Sequence, residues 1–288
     1  MTPYTWKLAD RTLTIGRRPL VMGIVNITPD SFSDGGRFLD AQCATDHGLK
    51  LISDGADLLD IGGESTRPGA TPVSADEELR RVEPVISGLA RQTRVPLSID
   101  TSKADVAARA MDLGASIVND VTGLLGDPLM VGVARQTRAG LIVMHMQGTP
   151  TTMQQSPCYV DPVREIHDFL EMRLAELTGL GIDAECVALD PGIGFGKRQS
   201  DNLDLLADLE MVRSGGRPIC LGASRKGFIN RVLGKTGAVA EGEAGTIGVV
   251  LQAVAHRTAQ IVRVHDVGMA CEALKLFLTI EERRSKST

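Results

Sequence analysis

Eight short runs of apolar, mostly β-branched residues recur along the chain, each ending in a polar residue or a glycine. They are Leu20–Asn26, Leu58–Gly62, Pro96–Asp100, Ser116–Asp120, Gly140–His145, Cys186–Asp190, Pro218–Gly222 and Ile261–His265. Runs without polar alternation are the pattern of strands buried on both faces, as in a parallel sheet. Helical patterns lie between them. The stretch from Ser74 to Thr93 opens on a capping Ser followed by Asp76, Glu77 and Glu78, which suit a helix N-terminus. Further helices are predicted over 102–113, stopped by Gly114, and over 161–180, stopped by Gly181. Two more are predicted over 240–258 and 269–284. Before the first run, Thr5 to Arg18 alternates in short pieces, the pattern of a hairpin that plugs a barrel floor.

Buried strands alternating with helices at this spacing predict an α/β fold, a (β/α)₈ TIM barrel with a short N-terminal hairpin. A doubly wound open sheet has a similar composition, but no G-x-G-x-x-G follows the first strand. No linker interrupts the chain, so residues 1–288 are expected to form one domain. The first strand opens directly into the polar, Gly- and Pro-containing stretch 27–36. A loop of that length in a compact domain is usually a lid or a binding loop.

Composition narrows the function. A net charge of −5 argues against a general nucleic-acid or membrane-surface role. With aromatics at 3 %, a base-stacking platform is not expected. The five cysteines include no C-x-x-C pair, and Cys186 and Cys220 sit in or beside apolar runs, where they read as small buried hydrophobes. There is no secretory h-region near Met1 and no run of membrane-span length, so the expected location is cytoplasmic. The glycosylation pattern Asn26-Ile27-Thr28 is therefore set aside.

Active sites of such barrels lie at the C-terminal ends of the strands. Here those ends offer Asn26, Gly62 to Arg67, Asp100, Asn119-Asp120, His145, Asp190, Ser224-Arg225-Lys226, and Arg263 with His265. Any one of them fits a helix cap or a turn; all eight together point to a site. Asp100, Asn119 and Asp190 can meet the polar edge of a planar heterocycle such as a pterin or guanine, a carboxylate accepting two parallel N–H bonds. Phe195, in Asp190-Pro191-Gly192-Ile193-Gly194-Phe195-Gly196-Lys197, can stack on a flat ring or pack on a helix. Arg263 and His265, two apart on a strand, point to one face. A cation there needs a partner, either a bound anion or a carboxylate such as Asp266 or Glu64. Arg67 and Lys226 can join them. No G-x-S-x-G, H-E-x-x-H or C-x-x-C is present. Ring-binding carboxylates and anion-binding cations without a covalent catalyst point to a displacement in which the protein supplies position and charge.

These residues carry a resemblance. The chain resembles the dihydropteroate synthases of the pterin-binding barrel family through 26–36, 60–69, Ser98-Ile99-Asp100-Thr101, Asn119-Asp120, Met144-His145-Met146, 190–197, Ser224-Arg225-Lys226 and Arg263-Val264-His265-Asp266. The resemblance implies condensation of 6-hydroxymethyl-7,8-dihydropterin pyrophosphate with p-aminobenzoate, giving 7,8-dihydropteroate and pyrophosphate in folate biosynthesis. It implies that Asp100, Asn119, Asp190 and Lys226 hold the pterin. Asn26, Arg67, Arg263 and His265 would hold the pyrophosphate, with Mg²⁺ near Asn26. Phe32, Asp34, Thr66 and Pro68, from the first two loops, would close over p-aminobenzoate with Phe195 and Lys226. Asp100, Lys226, Arg263 and His265 stand as the expected catalytic set. A homodimer through the last helices and a response to sulfonamides are implied as well.

One position departs from the family. Where it often has Ser after Ser224-Arg225-Lys226, this chain has Gly227. A hydroxyl that would meet the p-aminobenzoate carboxylate is missing, and backbone N–H groups at the start of the next helix are the remaining donors. Two alternatives stay open at this stage. A pterin-binding methyltransferase domain shares the barrel but needs neither the long first loop nor Arg263 with His265. A catalytically silent pterin-binding paralogue is favoured by Gly227 alone.

Overall fold

The computed structural model describes residues 3–27, 37–67, 69–235 and 242–285. Phe32, Asp34 and Pro68, expected at the site, lie outside the described residues, as does Ala240 at the start of one expected helix.

The fold is an eight-stranded parallel barrel wrapped by helices, with a two-stranded antiparallel hairpin beneath it. The hairpin pairs β1 (Tyr4–Lys7) with β2 (Thr12–Ile15). The barrel strands are β3 (Leu20–Asn26), β4 (Leu58–Gly62), β5 (Leu97–Asp100), β6 (Ile117–Asp120), β7 (Gly140–Met144), β8 (Val187–Asp190), β9 (Cys220–Leu221) and β10 (Ile261–Val264). Their order is β8-β7-β6-β5-β4-β3-β10-β9, and a parallel bridge from Leu189 to Ile219 joins the two ends of that order. The helices are α1 (Arg37–Ser53), α2 (Ala75–Gln92), α3 (Ala104–Asp112), α4 (Met130–Thr137), α5 (Pro162–Gly179), α6 (Gln199–Ala207), α7 (Gly227–Val232), α8 (Glu243–Ala255) and α9 (Val267–Ser285).

Local chemistry places the boundaries. Ser74 caps α2 by accepting the Glu77 N–H, and Asp161 caps α5 by accepting that of Arg164. α9 starts two residues earlier than the hydrophobic pattern indicates, because Asp266 Oδ1 accepts the Met269 N–H at 2.9 Å. The seventh barrel strand is shorter than the apolar run 218–222. The Ile219 N–H is taken by the side chain of Gln260 at 2.9 Å, so it gives nothing to the ladder.

Strand alternation divides the apolar residues into two cores. Outward-facing Leu59, Ile61, Ile99, Val118, Leu141, Val143, Val187 and Leu189 pack under the helices. Inward-facing Met22, Leu58, Ile117, Ile142, Ala188, Cys220 and Ile261 fill the lower barrel and meet Trp6, Leu8 and Ile15 of the hairpin. Trp6 is fully buried, and its indole N–H donates to the Cys186 carbonyl at 2.8 Å. Burial of each such side chain contributes about 1.5–3 kcal/mol. The hairpin is the barrel's floor, so the open mouth is at the other end, where the strands finish.

Candidate active site

Two residues above the apolar layer, the inward positions change character. Leu58 is followed by Asp60 and Gly62, Ile117 by Asn119, Ala188 by Asp190, Cys220 by Gly222, and Ile261 by Arg263 and His265. The register aligns the strand ends, since Asn26 pairs with Gly62, Gly62 with Asp100 and Asp100 with Asn119 across four adjacent strands. Residues far apart in sequence are thus brought into one row at the mouth.

At the centre of this upper layer is Arg263. Its Nε donates to Asp60 Oδ2 at 2.6 Å and its Nη2 to Asp100 Oδ2 at 2.7 Å. Asn119 Nδ2 donates to the same Asp60 oxygen at 2.9 Å. The carboxylate partners suggested by the sequence are elsewhere. Glu64 is engaged by Lys103, and Asp266 caps α9. Sequence reasoning missed Asp60, although a lone acid inside the apolar run Leu58-Leu59-Asp60-Ile61 was a readable signal. Asp60 is fully buried, and its Oδ1 has no hydrogen-bond partner among the described residues. Burial raises the pKa of Asp100 against the pull of Arg263. Burial also works against the Arg263 charge, but Asp60 and Asp100 hold it firmly cationic.

Asp190 and Lys226 form the opposite side. Asp190 Oδ1 accepts the Gly192 N–H at 2.7 Å. Burial raises its pKa, opposed by Lys226. Burial in turn lowers Lys226 to about 8, opposed by Asp190. The Lys226 ammonium donates to the Ile193 carbonyl and lies 4.3 Å from the Phe195 ring centroid. Phe195 is therefore within a cation–π contact at the rim. Two glycines make this loop possible. A Cβ on Gly192 would stand 1.9 Å from the His145 carbonyl, and one on Gly194 2.7 Å from Lys226 Cδ. Both have positive φ, 67° and 83°.

The middle of the mouth is left clear by two further glycines. A Cβ on Gly222 would lie 3.8 Å from Asp190 Oδ2 and 3.9 Å from Arg263 Cδ. One on Gly62 would lie 3.8 Å from both Asn26 Oδ1 and Asp100 Oδ2. A side chain at Gly222 would stand between Asp190 and Arg263, and one at Gly62 between Asn26 and Asp100.

His265 accompanies Arg263, its Nδ1 2.9 Å from Ser224 Oγ. Burial and then Arg225, Arg263, Arg67 and Lys226 push its pKa down to about 3, so the ring is neutral. Thr66 is half-buried and Arg67 exposed, both on the rim. Three other polar strand ends serve structure. Asp120 accepts from Thr122 and Leu124 and shapes a turn. His145 packs edge-on against Phe169, ring centroids 4.8 Å apart, and its Nδ1 meets Lys197 Nζ at 3.1 Å. Arg225 pairs with Glu243 of α8. Lys197 was also missed by the sequence reading. It is buried, and burial lowers its pKa well below the usual lysine range.

Asn26 ends β3 half-buried beside this space and offers an amide oxygen. Among the described residues, no three His, Cys, Asp or Glu side chains cluster as a metal site. Mg²⁺ keeps several waters and takes ligands from substrate phosphates, so it needs few protein oxygens, and Asn26 offers one.

A family model described as "Pterin binding enzyme" matches residues 22–265. A dihydropteroate synthase of Neisseria meningitidis serogroup C is 46 % identical over 278 residues, 96 % of this chain and 97 % of the relative. A solved structure, the Xanthomonas albilineans dihydropteroate synthase with 4-aminobenzoic acid, has a TM-score of 0.90 and 44 % identity, covering 97 % of this chain and 99 % of that one. The same enzyme in complex with 7,8-dihydropteroate has a TM-score of 0.86 and 41 % identity, covering 96 % and 98 %.

Proposed function

Because the chain belongs to the pterin-binding enzyme family and is a dihydropteroate synthase, condensing 6-hydroxymethyl-7,8-dihydropterin pyrophosphate with p-aminobenzoate, we propose that the upper layer of the barrel holds both substrates, with the following division of labour. The observation that carries it is the mouth itself, in which Gly222 leaves the side of Arg263 toward Asp190 free of a side chain and Gly62 does the same between Asn26 and Asp100, while Arg263 is held by Asp60 and Asp100.

Asp190 takes ring N–H groups of the pterin, since its Oδ2 borders the cleared space while Oδ1 is held by the Gly192 N–H. Asp100 and Asn119 meet the same ring from the strand row. With its pKa near 8, Lys226 remains a charged donor at neutral pH. Arg263, His265, Arg67 and Asn26 attend the pyrophosphate. Arg263 is already neutralised by two carboxylates, so its fixed geometry rather than excess charge is what it offers the leaving group. Mg²⁺, held at Asn26 and by the substrate's own phosphates, would stabilise charge developing on that leaving group. Thr66, Phe195 and Lys226 would meet the p-aminobenzoate, joined by Phe32, Asp34 and Pro68 from outside the described residues, and a sulfonamide would take the same place. Gly227 heads α7, so the p-aminobenzoate carboxylate would rely on backbone N–H groups there.

Among the described residues of this layer, no side chain is placed as an obvious base for the weakly nucleophilic arylamine. The pterin ring itself can push electrons toward the departing pyrophosphate as its C–O bond breaks, leaving a delocalised cation; the amine nitrogen then bonds that carbon and loses its proton to water or to the released pyrophosphate. Position and charge stabilisation are then the protein's contribution. Retained pyrophosphate would help complete the second substrate's pocket. Calorimetric titration of p-aminobenzoate tests this order. Affinity should rise at least tenfold when pyrophosphate and Mg²⁺ are present; an unchanged affinity would sink the ordered mechanism.

A homodimer through the last helices is supported by an apolar groove of about 370 Å³ between α6, α7 and α8, lined by Leu203, Phe228, Ile229, Leu233 and Val249. Leu276 and Ile280 of α9 are exposed as well. Sedimentation at micromolar concentration should give twice the chain mass. A cytoplasmic location is in keeping with the described helices, none of which is long and apolar enough to cross a membrane.

A further inference from the structure

Beside the mouth, outside the residues assigned above, three charged side chains from three elements meet. Lys103 Nζ donates to Glu64 Oε2 at 2.6 Å and to Glu78 Oε2 at 2.5 Å. Glu78 lies in α2 and is fully buried, while Glu64 and Lys103 are largely covered. Glu64 uses its other oxygen as well, since Oε1 accepts the Val73 N–H at 3.0 Å. A single carboxylate therefore ties the start of the segment after β4 to its return nine residues later. The residue before it is fixed too. Arg81 Nη1 donates to the Gly63 carbonyl at 2.8 Å, and a Cβ on Gly63 would stand 2.8 Å from Val82 Cγ1. Between the two pinned points are Thr66 and Arg67, two and three residues after Glu64.

The pin also reaches the ring site. Lys103 follows Asp100 by three residues, its backbone N–H donating to Thr101 Oγ1 at 3.2 Å, and Asp100 is paired with Arg263. A continuous path of short contacts therefore runs from the ring-facing carboxylate to the base of the second loop. Burial works against the Lys103 charge, but Glu64 and Glu78 outweigh it and raise its pKa. Lys103 is thus charged at neutral pH.

We propose that Glu64, held by Lys103, is a positioning residue that presents Thr66 to the arylamine substrate. It touches neither substrate, and it sets the affinity for the second substrate by fixing where the second loop leaves and rejoins the barrel. The inference rests on the assignment of Thr66 to the p-aminobenzoate pocket. Removing the Glu64 carboxylate releases Val73 and the loop base, while the Lys103–Glu78 pair survives and keeps α2 and α3 in place.

The test is steady-state kinetics of Glu64→Met, with pterin affinity by calorimetry and the melting temperature recorded alongside. KM for p-aminobenzoate should rise tenfold or more, while the Kd for an unphosphorylated pterin, which does not meet Arg67, stays within twofold and the melting temperature within a few degrees. Glu64→Gln keeps one acceptor for Val73 and should be intermediate. Lys103→Met should reproduce the rise in KM, and Glu64→Gln remains the readable arm should that variant fail to fold. Thr66→Val separates this inference from the reading beneath it. If Thr66→Val raises KM and Glu64→Met does not, the positioning role alone is overturned. If neither does, the loop assignment falls and this inference with it. A joint loss of pterin affinity, kcat and melting temperature in Glu64→Met would make the bridge a structural staple and would also overturn the proposal.

Discussion

The lower and upper halves of the barrel interior are built by the same strands, two residues apart, and obey different rules. Below, Met22, Leu58, Ile117, Ile142 and Ile261 fill space, and the hairpin seals them with Trp6, Leu8 and Ile15. Above, Arg263 is paired with Asp60 and Asp100, Asn119 joins Asp60, Asp190 and Lys226 lie on the opposite side, and Gly62 and Gly222 carry no side chain into the mouth. The lower layer can be judged by volume, because apolar burial is non-directional. The upper layer must be judged by pairing, because a buried charge is tolerated only with its partner. The difference teaches that stability and chemistry are stacked along one axis of this barrel and can be disturbed separately.

Arg263→Ala should have the largest effect, because it strips Asp60 and Asp100 of their shared cation at once. Breaking a buried pair in this way costs about 3–5 kcal/mol of stability, and turnover should be lost as well. Urea unfolding together with an assay of pyrophosphate release checks both. A stability loss below about 1 kcal/mol would mean that the pair behaves like an exposed one.

Trp6→Ala should cost stability alone, about 3–5 kcal/mol as for other large-to-small core substitutions. Turnover per folded molecule should stay at the wild-type value. A matching fall in kcat would show that the floor and the mouth are mechanically coupled, against the separation drawn above.

Asp190→Ala should do the reverse. Pterin affinity should fall by about 1–3 kcal/mol for each ring donor left unpaired, while the fold survives. Calorimetry with the pterin substrate and a thermal melt of the same sample decide this, and wild-type affinity in the variant would remove Asp190 from the ring site.

The smallest effect is on pH dependence. The native pKa of His265 is pushed below its unfolded value of 6.5, to about 3. As pH falls through 6.5 the unfolded chain takes up a proton that the native ring refuses, so the native state loses stability from pH 6.5 downward. The limit is about 1.4 kcal/mol per pH unit. Asp100 and Asp190, raised by burial, act with the opposite sign in part of that window. They are common to wild type and to His265→Gln, so the difference between the two isolates the histidine. The melting temperature of His265→Gln minus that of wild type should grow as the pH is lowered from 7 to 5. A constant difference would mean that the ring titrates normally.

Much of this molecule is legible along the chain. Apolar runs such as Leu58-Leu59 and Ile261-Val262 mark the strands, because a strand buried on both faces must be apolar throughout. Ser74, Asp161, Gly114 and Gly181 mark helix ends through the backbone groups they satisfy or the φ they permit. The polar strand ends, from Asn26 to His265, are readable as a set because a barrel gathers them at one mouth. The partnerships among those ends are another matter. Arg263 calls for an anion on general grounds, yet only the register of β4, β5 and β10 selects Asp60 and Asp100 over the nearby Asp266. The pKa values of Lys226 and His265 likewise depend on burial and on neighbours dozens of residues away. The sequence by itself determined the period, the caps and the list of reactive side chains, since these depend on residues a few positions apart. Only the tertiary structure decided which charges share a bond, which glycines leave space, and that Lys103 reaches Glu64, because such contacts depend on closure of the barrel, and no local pattern encodes the distance between strands.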